Sequence, residues 1–526
     1  MFNKISKIFK EIHFSNQWYD YKKNTKYKDF LMTGTFYKSY GFDAIIFIPN
    51  GFNIFDLRKL IPEISALYNA DIIIESSSTD KRYAYMRVHI KDYTISDKDN
   101  IKFKWYSLFN NSFRNDYGET FTIDKIKNLV NPNDNSIVGY KLFIKIPVGL
   151  SYNDFIKQTD SLYSAFGKYS EVYNKKTLMI EVNIITKPLS NEEPFIPIKV
   201  KPYELYLAMA YDYTPIICNF KHNCNLVVSG KNGTGKTVSV IQAAINLSYW
   251  CDDVEFYIGF TTFKTDLRIL KDLKQTKSYE TDINGLHNQL KYLCNLAKER
   301  NKTFTDCKEQ IFNIYEYNDY AAKHHLTKMN FCYFISDEIT DFMPKDYDDK
   351  QTKQIKNECV NYFWDLARLA RSAGIYIIIS AQRLSRENMS AEVKAQMGNR
   401  IAFYQPNMAS SLTVFGNGEE YAKKITQLEK TRECYIENFD GIFLAKTLYM
   451  DTKIMKKYTE KNIEKNKKYL NFNENYTKNA ENEIKNNEKS IKISAKHKKI
   501  APKYEKTQEN TPKTQKNCRF IKKYGR

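Results

Sequence analysis

No apolar run in this sequence approaches the ~18 to 20 residues that a membrane-crossing helix requires. No signal peptide or cleavage site is legible at its N-terminus. A cytoplasmic site of action is the expectation that follows. Paired cysteine spacing is also missing. Nine cysteines are scattered along the chain, and although Cys218, His222 and Cys224 lie close together, no second cluster completes a zinc-ligand pattern. Reduced thiols are expected in place of a disulfide framework. Glycine and alanine are sparse while Lys, Asn, Ile and Tyr abound, a coding bias of the kind an AT-rich genome produces. What the chain does have is length and positive charge. Its 526 residues, 42% of them hydrophobic, suit two to four domains, and its formal net charge is +20.

That charge is unevenly placed. Residues 454–526 hold 21 Lys/Arg against 8 Asp/Glu, so 13 of the 20 excess charges lie in this tail. Large apolar side chains are few there, and such a segment buries too little surface to offset its ordering entropy. A basic, disordered tail over 455–526 is expected. It suits nucleic-acid phosphates or an acidic partner, with a solubilising extension as the plainer alternative. At the other end, Phe2, Ile5, Ile8, Phe9 and Ile12 form one apolar face flanked by lysines. Residues 1–14 therefore either pack on the protein itself or lie on an anionic membrane, which would make the chain peripheral at the inner face.

The first 200 residues contain an internal echo. Ile48-Pro49-x-Gly51-Phe52-x-x-x-Asp56-Leu57 recurs as Ile146-Pro147-x-Gly149-Leu150-x-x-x-Asp154-Phe155. Each copy follows an apolar strand pattern, leads into a helical one and is followed by further strands. The pattern predicts an α+β N-terminal region over 1–200, with two related units at about 40–95 and 138–188. A connector containing Pro188 and Pro202 then leads to a region over 201–454 in which strand patterns alternate with helical ones.

Within that region, Gly230, Lys231, Asn232, Gly233, Thr234, Gly235, Lys236 and Thr237 fit G-x-x-x-x-G-K-[ST]. The strand Leu226 to Ser229 precedes them and an amphipathic helix with Val238, Ile241, Ala244, Ile245 and Tyr249 follows. That context turns a short motif into a prediction: backbone N–H groups cradle phosphate, Lys236 reaches the β/γ-phosphates and the Thr237 hydroxyl joins a Mg²⁺ shell. Residues 331–336 read as a buried strand ending in Asp337 and Glu338. Asp337 is the expected Mg²⁺ partner of Thr237, and Glu338 the expected general base that polarises an attacking water. ATP and Mg²⁺ are the cofactors implied. Alternating strands and helices around a P-loop imply an α/β fold with a mainly parallel sheet, a RecA-like P-loop NTPase core.

The stretch beyond the two acids narrows the class further. Asp337-Glu338-Ile339-Thr340-Asp341-Phe342-Met343 is followed by Ala367-Arg368-Leu369-Ala370-Arg371-Ser372-Ala373-Gly374-Ile375, then by Ser380-Ala381-Gln382-Arg383 and Asn399-Arg400-Ile401-Ala402-Phe403. This ordered series, with Asn313 to Asn318 ahead of it, resembles the FtsK/SpoIIIE family of DNA translocases over about residues 215–450. The resemblance implies an ATP-hydrolysing motor, usually hexameric, that threads double-stranded DNA through a ring. It is most similar to the coupling proteins of Gram-positive conjugative plasmids and integrative elements, which implies relaxosome or transfer-channel proteins as partners. Carried over, Gln382 senses the γ-phosphate and Arg400 is the candidate arginine finger, with Arg368 and Arg371 as rivals. Departures exist: Leu384 stands where the family often has proline, and no Asp-Pro-Lys occurs near Phe263-Lys264. No membrane-spanning N-terminus and no winged-helix module at the C-terminus are legible, so a chromosome-segregation role is not expected. A protein-secretion ATPase, a plasmid or phage replication helicase and a nucleotide-gated scaffold remain as alternative readings.

Overall fold

Two distant segments of the N-terminal region fold into one arrangement. In the computed structural model, which describes residues 2–463 apart from 24, 26–27, 78, 92, 111–112, 116–118, 168–170, 175–178, 262–265, 308, 383–390 and 416–418, the first segment runs α1 (Phe2–Lys22), β1 (Leu31–Lys38), β2 (Gly41–Phe47), α2 (Ile54–Arg58), α3 (Ile61–Tyr68), β3 (Ala70–Ser76), β4 (Tyr83–Ile90). The second runs α4 (Asp97–Asn110), β5 (Thr122–Val130), β6 (Ile137–Lys145), α5 (Tyr152–Ile156), α6 (Thr159–Phe166), β7 (Glu171–Asn174), β8 (Met179–Ile185). Each forms a four-stranded antiparallel sheet, ordered β1-β2-β4-β3 and β5-β6-β8-β7.

The echoed motif is the turn that links hairpin to helix in both. Gly51 and Gly149 adopt φ +88° and +87°, a conformation that favours glycine. Asn53 and Ser151 then cap the short helices in reciprocal boxes with Asp56 and Asp154, and Lys59 and Lys157 pair with those same acids at 3.1 and 2.9 Å. The repeat extends further upstream than the echo indicates. Each unit begins with a helix whose buried tryptophan donates its indole N–H to the carbonyl just before the first strand: Trp18 to Phe30 at 3.3 Å and Trp105 to Phe121 at 2.9 Å. The units therefore start near residues 2 and 97, a helix and a strand before the expected boundaries. Phe14 and Trp18 seat α1 on the first core. α4 belongs to the second core and also covers Tyr40 and Ile73 of the first sheet.

Beyond the connector, β9 (Glu204–Ala210), β10 (Pro215–Asn219), β11 (Leu226–Ser229), α7 (Lys236–Trp250), β12 (Val254–Gly259), β13 (Thr276–Glu280), α8 (Ile283–Asp306), α9 (Ile314–Lys323), β14 (Phe331–Ser336), α10 (Lys350–Leu369), β15 (Ile375–Ala381), α11 (Ala391–Gln396), β16 (Asn399–Phe403), α12 (Met408–Phe415), α13 (Glu419–Thr426), β17 (Glu433–Asn438), β18 (Gly441–Lys446) and α14 (Thr452–Thr459) follow. The ten strands make one sheet, ordered β10-β9-β18-β17-β16-β11-β15-β14-β12-β13. The six from β16 to β13 are parallel, and the remaining four extend the sheet antiparallel. Strands β11, β14 and β15 are buried along their whole length, which explains their unbroken apolar sequence: parallel strands are covered on both faces. Tyr333 and Ile335 share a core with Val240, Ala244 and Ile245 of α7, while Gly259 and Phe334 face Leu286 of α8 on the opposite side.

The chain just after residue 454 differs from expectation. Ile454, Met455 and Tyr458 pack α14 against the motor core, and the Asn462 amide donates to the Ser248 carbonyl at 2.8 Å. The first nine residues assigned to a disordered tail, 455–463, are thus motor, because an apolar stripe at helical spacing outweighs their lysine-rich composition. The rest of the expected tail, from residue 464, lies outside the described residues. Among those described, no helix is long and apolar enough to cross a membrane.

Candidate functional site

Strand order places the chemistry. The P-loop strand β11 and the acid-bearing strand β14 are not neighbours; β15 lies between them, so three loops leave the carboxyl edge of the sheet side by side. The loop after β11 is residues 230–235. Gly235 takes φ +109° as the N-cap of α7, and a Cβ on Gly230 would lie 2.6 Å from Phe403 Cβ, so both positions need glycine. Side chains of Asn232, Lys236, Thr237, Asp337, Glu338 and Gln382 line one cleft of about 410 Å³ together with Gly233, Gly235 and Val238.

Lys236 is only 8% exposed, and its ammonium donates to the carbonyls of Gly230 and Lys231 at 2.8 and 3.2 Å. A buried cation held by loop carbonyls stands ready to trade those weak partners for phosphate oxygens. Thr237 Oγ1 lies 2.9 and 3.1 Å from the two carboxylate oxygens of Asp337, a hundred residues away. Two cis ligands of an octahedral Mg²⁺ at roughly 2.0–2.1 Å stand about 2.9 Å apart, so this pair already has the spacing of one edge of such a shell. One hydroxyl and one carboxylate also suit Mg²⁺, which keeps waters and phosphate oxygens as its other ligands. Among the described residues no group of three or more His, Cys, Asp or Glu forms a metal site.

Glu338 follows in extended conformation, is 6% exposed and lines the same cleft. Gln382 closes the cleft from the end of β15; Arg383, its companion in the motif, lies outside the described residues, as do Phe263 and Lys264. Lys231 and Thr234 hold the loop in shape: Lys231 N–H donates to the Tyr404 carbonyl at 3.0 Å and Thr234 Oγ1 to the Lys231 carbonyl at 2.8 Å.

Arg400 is not in this cleft. It sits near the start of β16, paired with Val227 rather than with the phosphate-loop end of β11. Its guanidinium contacts Glu437 at 3.2 Å and donates to the carbonyls of Met397 and Lys394 at 3.2 and 3.0 Å. Arg368 pairs with Asp365 at 3.1 Å, and Arg371 donates to the carbonyls of Lys221 and His222.

Three further residues brace the site from outside the cleft. Ser380 Oγ donates to Asp337 Oδ1 at 3.0 Å and to its carbonyl, which orients the acid. The buried Gln405 amide donates to Ser229 Oγ at 3.0 Å behind the phosphate loop. Arg432 N–H donates to the Thr234 carbonyl at 2.9 Å. Only Ser380, at the end of an apolar strand beside Gln382, had a sequence signal, being part of the Ser-Ala-Gln-Arg run.

The chain is similar to several known proteins. Residues 199–386 match the FtsK/SpoIIIE family. The chain is 25% identical over 193 residues to the DNA translocase FtsK of Clostridium acetobutylicum, a match covering 36% of this chain and 24% of that protein. It is 23% identical over 246 residues to the DNA translocase SftA of Bacillus subtilis, covering 46% and 24%. The chain thus spans about a quarter of the length of these relatives. Among solved structures, the pCW3 conjugation coupling protein TcpA is similar at 17% identity with a TM-score of 0.47, covering 69% of this chain and 99% of that one. The cytoplasmic domain of the Thermomonospora curvata type VII secretion ATPase EccC is similar at 13% and 0.42, covering 53% and 33%.

Proposed function

We propose that this chain, whose residues 199–386 form an FtsK/SpoIIIE-type domain, is an ATP-hydrolysing motor that translocates double-stranded DNA. The observation that carries the reading is the 2.9 Å approach of Thr237 Oγ1 to Asp337, with Glu338 and Gln382 in the same cleft. Lys236 and the backbone N–H groups of the loop bind and orient the triphosphate. Thr237 and Asp337 would hold Mg²⁺, which would supply positive charge against the phosphate oxygens. Glu338 takes the proton of the attacking water, and Gln382 reads the γ-phosphate from the neighbouring strand. The basic charge of the chain favours a polyanionic substrate.

The finer reading is a coupling protein that drives transfer of plasmid or mobile-element DNA, working as a homo-hexameric ring with relaxosome or transfer-channel proteins. It rests on the motif series from Asp337 to Phe403. In a ring an arginine enters the neighbouring site, and for Arg400 that role requires release from Glu437. The site of action in this reading is the cytoplasmic face of a membrane, touched through residues 1–14. Ile8 and Ile12 are 50% and 51% exposed on α1, which supports the contact. Replacing both with aspartate leaves Phe14 and Trp18 in place, so loss of liposome co-flotation would report the contact and not unfolding.

Steady-state ATP hydrolysis with and without long double-stranded DNA, at two salt concentrations, tests the motor. Stimulation that grows with DNA length and falls with salt is expected. Hydrolysis indifferent to DNA but stimulated by a polypeptide would move the assignment to a secretion ATPase.

A further inference from the structure

Arg432 lies outside the phosphate cleft, yet it touches the phosphate loop and the connector at once. Its backbone N–H donates to the Thr234 carbonyl at 2.9 Å. Its Cγ is so close to Gly235 that a Cβ there would meet it at 3.5 Å. Its guanidinium donates to the carbonyl of Asn191 and stands 5.4 Å from the centre of the Tyr449 ring. Asn191 belongs to the connector that leaves the second N-terminal unit. Tyr449 is sewn to the same segment, donating its N–H to the Glu193 carbonyl at 2.7 Å and accepting that of Phe195 at 2.9 Å. The second unit itself meets the motor where the Asn183 amide donates to Asp212 at 2.8 Å.

The backbone at Arg432 has φ +65°, a left-handed conformation that a residue with a side chain adopts only where its surroundings impose it. They do so here. The Arg432 carbonyl accepts the Thr447 N–H at 2.9 Å, and the next residue, buried Glu433, accepts the Tyr211 hydroxyl at 2.6 Å. Arg432 therefore bridges the phosphate loop and the connector that leads back to the N-terminal module.

We propose that Arg432 is a positioning residue that couples occupancy of the phosphate loop to the connector and, through it, to the N-terminal module. This rests on the reading of residues 230–237 as a nucleotide site. When the loop tightens on phosphate, the Thr234 carbonyl shifts, Arg432 shifts with it, and the guanidinium carries the displacement to Asn191.

The test is hydrogen–deuterium exchange of residues 187–202 in the full chain, with and without ATPγS and Mg²⁺. Wild type, Arg432→Gly and Arg432→Lys are compared, with analogue affinity, KM and kcat measured beside them. Glycine suits φ +65° and keeps the N–H bond to Thr234, so this variant removes only the side chain. The analogue should slow connector exchange in wild type by about five-fold or more, the lower range of measured couplings. Arg432→Gly should lose that slowing while still binding the analogue, with kcat altered more than KM. Arg432→Lys, which restores a donor to Asn191, should recover part of it. A wild type that binds the analogue without slowing at 187–202 overturns the coupling, as does an Arg432→Gly variant that retains it. A wild type that binds no analogue overturns the nucleotide reading and the coupling together.

Discussion

The two N-terminal units and the motor bury polar groups for different ends. In the units, polar side chains, buried at the two tryptophans and exposed at the two helix caps, pin nearby backbone. Trp18 and Trp105 hold the carbonyls before their first strands, and Asn53 and Ser151 hold helix N-termini. Each has its partner within about 16 residues, and the same device appears twice. In the motor, buried Lys236, Asp337 and Glu338 converge from segments a hundred residues apart onto one cleft. Local pairs fix a shape; burial of charges that face a shared space prepares chemistry, because low polarity strengthens what they do to a ligand. The difference predicts that damage separates cleanly: motor-site substitutions should stop turnover and leave folding intact, and unit substitutions should do the reverse.

The sharpest break should come at Glu338. Glu338→Gln is isosteric and should lower kcat by about 10²- to 10⁴-fold, the usual worth of a positioned base, with nucleotide binding and thermal midpoint retained. Ser380→Ala comes next. It removes the donor that orients Asp337 and should raise the Mg²⁺ concentration for half-maximal hydrolysis by about 10- to 100-fold, as loss of outer-shell partners does; a magnesium titration of the rate reads this. In the units, Trp105→Phe leaves the Phe121 carbonyl buried without its donor and should cost about 1–3 kcal/mol of stability, visible as an earlier unfolding step, while the hydrolysis rate per folded molecule is unchanged. Asp154→Ala opens one capping box and should lower the thermal midpoint by a smaller amount. Asp56→Ala in the first unit should match it, since both helices are capped the same way. Unequal losses would show that the two units are not energetic equivalents.

Sequence and structure part company along the same line. The P-loop and the two acids were legible because fixed spacing is itself the chemistry, and the buried parallel strands because their apolar runs are unbroken. The turn around Gly51 and Gly149 was legible for the same reason, being local. The helices that complete each unit were not. Trp18 and Phe30 are 12 residues apart, whereas Trp105 and Phe121 are 16 apart, and a repeat with a loop of changing length leaves no constant offset to find. Gln405 and Arg432 reach the phosphate loop only through strand pairing across the sheet, which no local pattern announces. The stripe of Ile454, Met455 and Tyr458 was hidden inside a lysine-rich composition.

The most direct test of the central claim is single-turnover hydrolysis of Mg-ATP by the full-length chain and by Glu338→Gln, with bound nucleotide measured in the same samples. The account predicts that both proteins bind nucleotide and that only the wild type converts it to ADP. Conversion at the wild-type rate by Glu338→Gln would show that the cleft between β11, β15 and β14 does not do the chemistry assigned to it.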